Sequence, residues 1–258
     1  MKLERQKQGE SGNLWPQTED KKMADYGQFC PVAKATELIG ERWTILILRE
    51  LVLGTHRFSD FQRALSRISP SLLTKRLNGL EKAGIVIKKT QQGRRGYQYY
   101  LTPAGRQLSP IVEHLATWGM RWARGQLTDK ELDVEFLMWE IQRRLNTTAM
   151  PDGETVLCFI FDELNQFKSW WVVIRDDNVD LCTKNPGLDV DLYISSTVRT
   201  MVDIWEGNLE IKSALAHQRV KTNGNVQLSR TLPEWFGICL YADIKPGDPR
   251  LMQTASFD

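Results

Sequence analysis

The chain has 258 residues, of which 41% are hydrophobic and 26% are charged, and its formal net charge is +2. This length leaves room for two domains with separate cores. The sequence has no transmembrane run, no signal-peptide core and no visible disulfide framework, so we expect a cytoplasmic protein without membrane insertion.

The charge is divided between two opposed halves. Residues 25–125 carry a net charge of +9, whereas residues 126–258 carry a net charge of −8. Such asymmetry indicates an anionic polymer as the partner of the first half. Double-stranded DNA fits this role, with contacts that weaken steeply as salt rises.

The chain opens with a polar extension, residues 1–27, which we expect to be a mobile arm. Cys30 and Pro31 follow at the predicted mouth of a helix, where free N–H groups and the helix dipole favour a thiolate. Cys30 is therefore a candidate redox sensor. The alternative, that this cysteine only packs against its neighbours, is left open.

Two helices are predicted next. Residues 43–54 are apolar on nearly every side, which is typical of a helix buried in a small domain. Residues 57–65 form a short helix whose inner stripe is Phe58, Phe61 and Leu65. A short link leads from it to the helix that starts at Ser69, so the pair is predicted to be a helix-turn-helix.

The helix over residues 69–84 carries the strongest functional signal. Ser69 can cap it, Pro70 suits its first position, and Gly84 ends it. A spacing of 100° per residue places leucines 73, 77 and 80 on one face, and Ser71, Thr74, Lys75 and Asn78 on the other.

That second face is short, polar and basic, as entry into the DNA major groove requires. An ordinary solvated helix face is the alternative for this segment taken alone. The complete set of candidate DNA-binding residues is Arg57, Ser69, Ser71, Thr74, Lys75, Arg76, Asn78, Lys88, Arg94 and Arg95.

Two strands, residues 85–90 and 97–101, flank a glycine-rich segment that carries Arg94 and Arg95. This hairpin is predicted to be a wing whose arginines follow the phosphate backbone or enter the minor groove. A merely soluble turn is the alternative.

A further helix is predicted from Thr102 through Trp122. Its apolar stripe consists of Leu108, Ile111, Val112, Leu115, Trp118 and Trp122. A single small domain covers such a stripe poorly, so we expect it to pair with the same helix of a second chain, and packing within the chain is the alternative. Two recognition helices related by a twofold axis would then read an inverted-repeat operator.

A family resemblance rests on residues spread over this half of the chain. They are Cys30, Pro31, Val32, Glu41, Arg42, Trp43, Thr44, Gly54, Arg57, Phe58, Ile68, Ser69, Leu73, Thr74, Arg76, Leu77, Leu80, Gly84, Ile85, Val86, Tyr100, Leu101, Thr102, Gly105, Trp118 and Gly119. Together they resemble the HxlR-type winged helix-turn-helix regulators over about residues 28–122.

The resemblance implies a dimeric DNA-binding protein in which residues 69–78 are the recognition helix and Arg94 and Arg95 form the wing tip. It also implies that the cysteine of the Cys-Pro pair can sense electrophiles or oxidants. Two departures are visible, and the first is the additional polar extension over residues 1–29. The second concerns the wing. The family commonly has a proline before the second wing strand, whereas this chain has Gly-Arg-Arg-Gly.

The second half begins after a joint at about residues 125–130. An amphipathic helix is expected around Leu132, Phe136, Trp139 and Leu145. The later predictions are strands over residues 155–161, 169–174, 178–182 and 189–194, a helix from about Ser196 to Gly207, and segments over 211–216, 219–224 and 228–236. This order predicts an α+β domain, with helices on one face of a mixed or antiparallel sheet.

Residues 130–240 are similar in order and spacing to the sterol-carrier-protein fold. The resemblance implies non-enzymatic binding of an acyl chain or sterol in an apolar tunnel. Candidate pocket residues are Phe159, Trp170, Met201, Trp205 and Phe236. Ordinary core packing of these side chains is the alternative.

Enzyme chemistry finds no support in the sequence. Cysteines 158, 182 and 239 form no paired motif, histidines 56, 114 and 217 have no metal-ligand spacing, and phosphate loops and nucleophile elbows are missing. We therefore expect no catalytic residue, no metal and no cofactor.

The combined prediction is a multidomain chain. It consists of the extension 1–27, a winged helix-turn-helix (mainly α with a β-wing) over 28–125, and an α+β sterol-carrier-like domain over 126–250. The predicted function is that of a dimeric DNA-binding transcriptional regulator, a repressor, whose C-terminal domain binds an apolar small-molecule or lipid-like effector. One alternative is a thiol-based redox or electrophile sensor with a C-terminal scaffold. The other is a lipid carrier whose winged helix only mediates pairing.

Overall fold

The structure is a computed structural model, and it describes residues 26–90, 96–176 and 178–252. The chain divides into two compact units. Of the described residues, the first unit contains those up to 62 together with those in 67–112, and the second contains 63–66 and those from 113 onward. This division falls inside a helix, at Val112, whereas the sequence places the joint near residue 125.

The N-terminal part of the chain follows the predicted order of elements. Its helices and strands are α1 (Pro31–Ile39), α2 (Thr44–Val52), α3 (Phe58–Ala64), α4 (Pro70–Lys82), β1 (Val86–Thr90), β2 (Tyr97–Leu101), α5 (Pro103–Arg106) and α6 (Ser109–Trp122). The strands pair antiparallel, from Val86 opposite Leu101 to Thr90 opposite Tyr97. Ile47, Phe61 and Leu73 are fully buried and belong to the core. The winged helix-turn-helix prediction is confirmed.

One predicted helix is in fact two. The apolar spacing suggests a continuous helix from Thr102 to Trp122, but the structure ends α5 at Arg106 and starts α6 at Ser109. Pro110 explains the break, because it has no N–H to donate to the carbonyl of Arg106 and its ring clashes with the preceding turn.

The C-terminal part is an α+β fold. Its elements are α7 (Val134–Arg144), β3 (Glu154–Ile160), β4 (Ser169–Arg175), β5 (Asn178–Cys182), β6 (Leu192–Ser196), α8 (Val198–Trp205), α9 (Ile211–Ala216), β7 (Val220–Gly224), α10 (Val226–Arg230) and α11 (Leu232–Trp235). Short 3-10 turns lie at Arg124–Gln126, Asp129–Glu131, Thr147–Ala149 and Pro249–Met252.

The five strands form one mixed sheet in the order β5-β4-β3-β6-β7. The β3–β6 pair is parallel and the other pairs are antiparallel. Alternate residues of the strands, such as Leu157, Val172 and Ile194, enter a single core with side chains from the helices, such as Ile141 and Met201. The helices therefore cover one face of the sheet, as predicted.

The start of β6 differs from the prediction. The alternation of aspartates and apolar residues suggests a strand from Asp189, but the strand starts at Leu192. The carboxylate of Asp191 accepts a hydrogen bond from the backbone N–H of Val156 at 2.8 Å. The backbone N–H of Asp191 also donates to the carbonyl of Val156 at 2.9 Å, so Asp191 is bound to β3 through both its side chain and its backbone.

Candidate nucleic-acid interface

Helix α4 is capped in the way that its sequence predicts. Ser69 has extended backbone angles, and its hydroxyl accepts a hydrogen bond from the N–H of Leu72 at 3.3 Å. Pro70 occupies the first turn, where its missing N–H costs nothing. At the other end Gly84 adopts a φ of +68°, a conformation that ends helices and favours glycine.

The two faces of α4 are sharply different. Leucines 73, 77 and 80 are buried, whereas Ser71, Thr74, Lys75 and Asn78 are all exposed. We call these four exposed residues the polar ridge. Thr74 donates its hydroxyl proton to the carbonyl of Pro70 at 2.9 Å, which leaves its oxygen lone pairs available as acceptors. The ridge thus presents an ammonium group, an amide and hydroxyl groups to solvent.

The wing lies beside the helix-turn-helix. Arg57, just before α3, forms an isolated antiparallel bridge with Gln98 of β2, and its side chain is exposed. The ammonium group of Lys88 lies 3.9 Å from the ring centre of Tyr97, within the range of a cation–π interaction. Arg94 and Arg95 lie outside the described residues.

Comparison with known proteins assigns both halves of the chain. Residues 38–126 match the HxlR-like helix-turn-helix family model, and residues 141–236 match that of the SCP-2 sterol transfer family. The HTH-type transcriptional regulator YdeP of Bacillus subtilis is 32% identical over 94 residues, which are 36% of this chain and 73% of that protein. The chain belongs to the HxlR-like helix-turn-helix family.

Further matches are of the same kind. The HTH-type transcriptional regulator YtfH of Escherichia coli is 35% identical over 94 residues, or 36% of this chain and 75% of that protein. The solved structure of the redox regulator HypR in its reduced form is 34% identical, covers 35% of this chain and 90% of that chain, and has a TM-score of 0.33. This HxlR-family protein is thus a helix-turn-helix transcriptional regulator that carries an SCP-2 domain, and the relatives are named as regulators rather than enzymes.

Arg76, one of the predicted DNA contacts, has partners inside the N-terminal unit. Its guanidinium forms an ion pair with the carboxylate of Glu41, and its Nε donates to the carbonyl of Arg42 at 2.9 Å. Only 12% of the Arg76 side chain is exposed. No local sequence signal points to this contact, because Glu41 lies 35 residues away from Arg76.

A buried carboxylate secures the turn between α2 and α3. Glu50 accepts hydrogen bonds from the hydroxyl of Thr55 at 2.8 Å and from Arg49 at 2.7 Å and 3.0 Å. The N–H of Thr55 also donates to the carbonyl of Glu50 at 2.9 Å. Because α3 starts three residues later, this network helps to set where the helix-turn-helix begins.

The predicted dimer stripe of α6 divides into two groups. Ile111, Leu115 and Trp118 are exposed by 45%, 49% and 57%, and we call these three the α6 apolar face. Val112 is buried, the ring of Trp122 lies against Gly247 in the C-terminal unit, and Leu108 is half-buried. Sequence reasoning missed that Tyr26, Phe29 and Val32, at and before the start of α1, are also exposed large apolar side chains.

Cys30 is the N-cap residue of α1, as predicted, and its side chain is half-buried. The other three cysteines belong to the SCP-2 domain or to the segment just after it, and all four are free thiols. Burial raises the pKa of the Cys158 thiol to about 11 and also raises the pKa of Cys239. The described part of the chain therefore offers Cys30 and Cys182 as the more accessible thiols.

The candidate pocket residues of the SCP-2 domain lie together in its interior. Phe159, Trp170, Met201 and Phe236 belong to one buried cluster, and Trp205 packs against it. The indole Nε1 of Trp205 is buried and has no hydrogen-bond acceptor among the described residues. The rings of Phe136 and Trp205 form an edge-to-face pair, with 6.1 Å between the ring centres and 76° between the ring planes.

The described residues include neither a membrane-spanning helix nor a metal-binding cluster. None of the helices described for residues 26–90, 96–176 and 178–252 has the length and apolar character needed to cross a bilayer. Over the same ranges, no group of three or more histidine, cysteine, aspartate or glutamate side chains is arranged to hold a metal ion.

Proposed function

We propose that this HxlR-family protein binds an inverted-repeat operator in double-stranded DNA as a homodimer, with the polar ridge of each α4 in the major groove. The observation that carries the proposal is the exposure of the whole ridge opposite a buried leucine face. A helix held by its apolar side can offer short hydrogen-bonding side chains to base edges. The net charge of +9 over residues 25–125 supplies attraction to phosphates.

The test of DNA binding uses a duplex selected by the wild-type protein from a randomised library, and a random-sequence duplex of equal length. If Lys75 contacts a base, Lys75→Ala weakens binding to the selected duplex by about 1–3 kcal/mol. If it contacts only phosphate, both duplexes lose affinity alike and the salt slope falls by about one. Lys184→Ala is the matched control, because Lys184 is an exposed lysine of the acidic half.

A salt-insensitive interaction with DNA that Lys75→Ala leaves unchanged would instead favour a lipid carrier whose winged helix only mediates pairing.

Repression is part of our proposal, and a reporter promoter that contains the selected duplex tests it. Reporter output should fall when the protein is expressed, and a rise in output would contradict repression.

Dimerisation through α6 is supported by the α6 apolar face. Three large apolar side chains exposed on one side of a helix are typical of an interaction surface. We expect Leu115→Glu to convert the dimer to a monomer in light scattering and sedimentation. Val226→Glu is the control, because Val226 is an exposed apolar residue of α10 and should leave the mass unchanged. A wild-type monomer at micromolar concentration would contradict the proposal.

We further propose that the SCP-2 domain binds an apolar effector with one hydrogen-bond acceptor. The buried indole N–H of Trp205, which lacks an acceptor among the described residues, favours this function. The probe is cis-parinaric acid, a fluorescent fatty acid. Trp205→Phe keeps an aromatic ring and removes the donor, so we expect about 10-fold weaker binding. Undetectable binding to the wild type would favour a solid core and a scaffold role.

If the C-terminal domain is only a scaffold, Cys30 is the alternative sensor. Its position at the N-terminus of α1 and its partial exposure support this second proposal. A mild electrophile should then release the wild-type protein from the selected duplex, and Cys30→Ser should abolish the response. An unchanged response in Cys30→Ser would contradict sensing at this thiol.

A further inference from the structure

Arg76 lies among the ridge residues in sequence but not in space. Thr74, Lys75 and Asn78 are exposed to solvent, whereas the Arg76 guanidinium turns back toward the turn between α1 and α2. There its Nη1 meets the Glu41 carboxylate and its Nε meets the carbonyl of Arg42. An arginine held by two acceptors in this way has fewer donors left for a phosphate or a base.

The segment that receives Arg76 is itself firmly fixed. Gly40 caps α1 so closely that a Cβ there would lie 2.6 Å from the carbonyl oxygen of Thr36. Trp43, which caps α2, has a φ of +79°, a conformation that non-glycine residues adopt only when their surroundings impose it. The guanidinium of Arg42 lies 5.3 Å from the ring centre of Trp43. The turn is therefore a suitable anchor.

The buried side chains that hold α4 in the N-terminal unit are apolar, and their contacts are less directional than the contacts of Arg76. Leu73, Leu77 and Leu80 hold the helix by apolar packing, which is non-directional. A planar guanidinium bound to a carboxylate and a carbonyl has a defined geometry, and it sits one residue from Lys75. Rotation of α4 by 10–20° would displace the ridge enough to spoil contacts with base edges.

We propose that Arg76 is a positioning residue rather than a DNA contact, and that its clamp on Glu41 and the Arg42 carbonyl sets the rotation of α4 so that the polar ridge reads its sequence. This inference rests on the proposed function. It predicts a loss of sequence discrimination, not a loss of general attraction to DNA.

The decisive variant is Glu41→Gln, because the two interpretations predict opposite signs. If Arg76 contacts phosphate, neutralising Glu41 makes the surface more positive and tightens binding to every duplex. If the clamp positions α4, Glu41→Gln weakens binding to the selected duplex by about 10-fold, the order of one charge-assisted hydrogen bond. Glu81→Gln is the matched control, since Glu81 is an exposed carboxylate near the end of the same helix.

A double-mutant cycle strengthens the test. We expect Arg76→Gln and Glu41→Gln to lower the ratio of selected-duplex to random-duplex affinity similarly, and the double variant to lower that ratio no further than either single variant. Affinity for the random duplex should differ from that of the wild type only by the effect of one charge. Retained affinity for the random duplex also shows that the variants fold. Arg76→Lys keeps the charge but loses the planar fork, so it should lose discrimination as well.

Three results would overturn the inference. The first is that Glu41→Gln tightens binding to the selected duplex as Glu81→Gln does, and the second is that the effects of Arg76→Gln and Glu41→Gln add in the double variant. The third is that Arg76→Lys discriminates between the selected and random duplexes as well as the wild type does. In each case Lys75→Ala would still weaken the selected duplex if the proposed function holds. A wild-type protein that selects no duplex would overturn the proposed function, and the inference with it.

Discussion

The buried carboxylate of Glu50 offers a quantitative test of how the helix-turn-helix is held. Its side chain is 0% exposed, and it accepts hydrogen bonds from Thr55 and from Arg49, whose side chain is 27% exposed. Glu50→Gln keeps the volume but removes the charge. Hydrogen bonds to charged groups contribute about 1.5–3 kcal/mol each to the free energy of unfolding, and removing one partner of a buried ion pair costs about 3–5 kcal/mol.

Partial hydration of Arg49 lowers the cost in this case. We therefore expect Glu50→Gln to destabilise the N-terminal unit by about 2–3 kcal/mol, in the lower part of those ranges. For a domain of this size the loss corresponds to a drop in Tm on the order of 10–20 °C. The exposed pair between Glu154 and Arg175, with side chains 41% and 50% exposed, provides the control. Glu154→Gln should change stability by about 0–1 kcal/mol.

Hydrogen exchange during urea titration is the suitable assay, because peptides from α2 follow the N-terminal unit and peptides from β3 follow the C-terminal unit, where the control pair lies. The reasoning would be refuted if Glu50→Gln and Glu154→Gln lowered stability equally. It would also be refuted if Glu50→Gln and Thr55→Val had strictly additive effects, since residues in one network should couple.

Two further predictions concern thiols and glycines. With a pKa of about 11, only about one Cys158 thiol in a thousand is ionised at pH 8. Iodoacetamide should therefore modify the half-buried Cys30 and Cys182 first and reach Cys158 only in urea, as peptide mass spectrometry can show. Equal rates of modification in the native protein would contradict this. Gly79→Ala should stabilise α4 by about 0.5–1 kcal/mol, because nothing lies near its Cβ position. Gly105→Ala should destabilise the N-terminal unit by about 1–3 kcal/mol, because the added Cβ would overlap the carbonyl of Ile85. Thermal unfolding should therefore show a higher Tm for Gly79→Ala than for Gly105→Ala, and the opposite order would contradict both expectations.

Local sequence signals were sufficient where the structure depends on near neighbours. Ser69 and Pro70 start α4, and the 100° spacing separates its leucines from its polar ridge, so both the bounds and the faces of the helix were predictable. The antiparallel wing followed from β-branched and aromatic residues in the same way, and strand β5 followed from alternating polar and apolar residues. These features require only the periodicity of the backbone and the chemistry of caps and turns.

Contacts between distant parts of the chain were not predictable. Arg76 lies one residue from Lys75, and periodicity alone cannot tell that its guanidinium would fold back to Glu41. The order of the mixed sheet and the hydrogen bond from the N–H of Val156 to the Asp191 carboxylate likewise depend on elements far apart in sequence. The family of the N-terminal half was readable from its motifs, because those motifs are local.

The sequence by itself determined which segments are helices and strands, which faces are apolar, and where the positive charge lies. Only the tertiary structure decided which positively charged side chains remain available to a partner, because the fold places hydrogen-bond acceptors beside some of them and leaves others exposed. Lys75 and Arg76 illustrate the distinction: both are cations on one helix, but the fold leaves the first exposed and places the carboxylate of Glu41 and the carbonyl of Arg42 against the second.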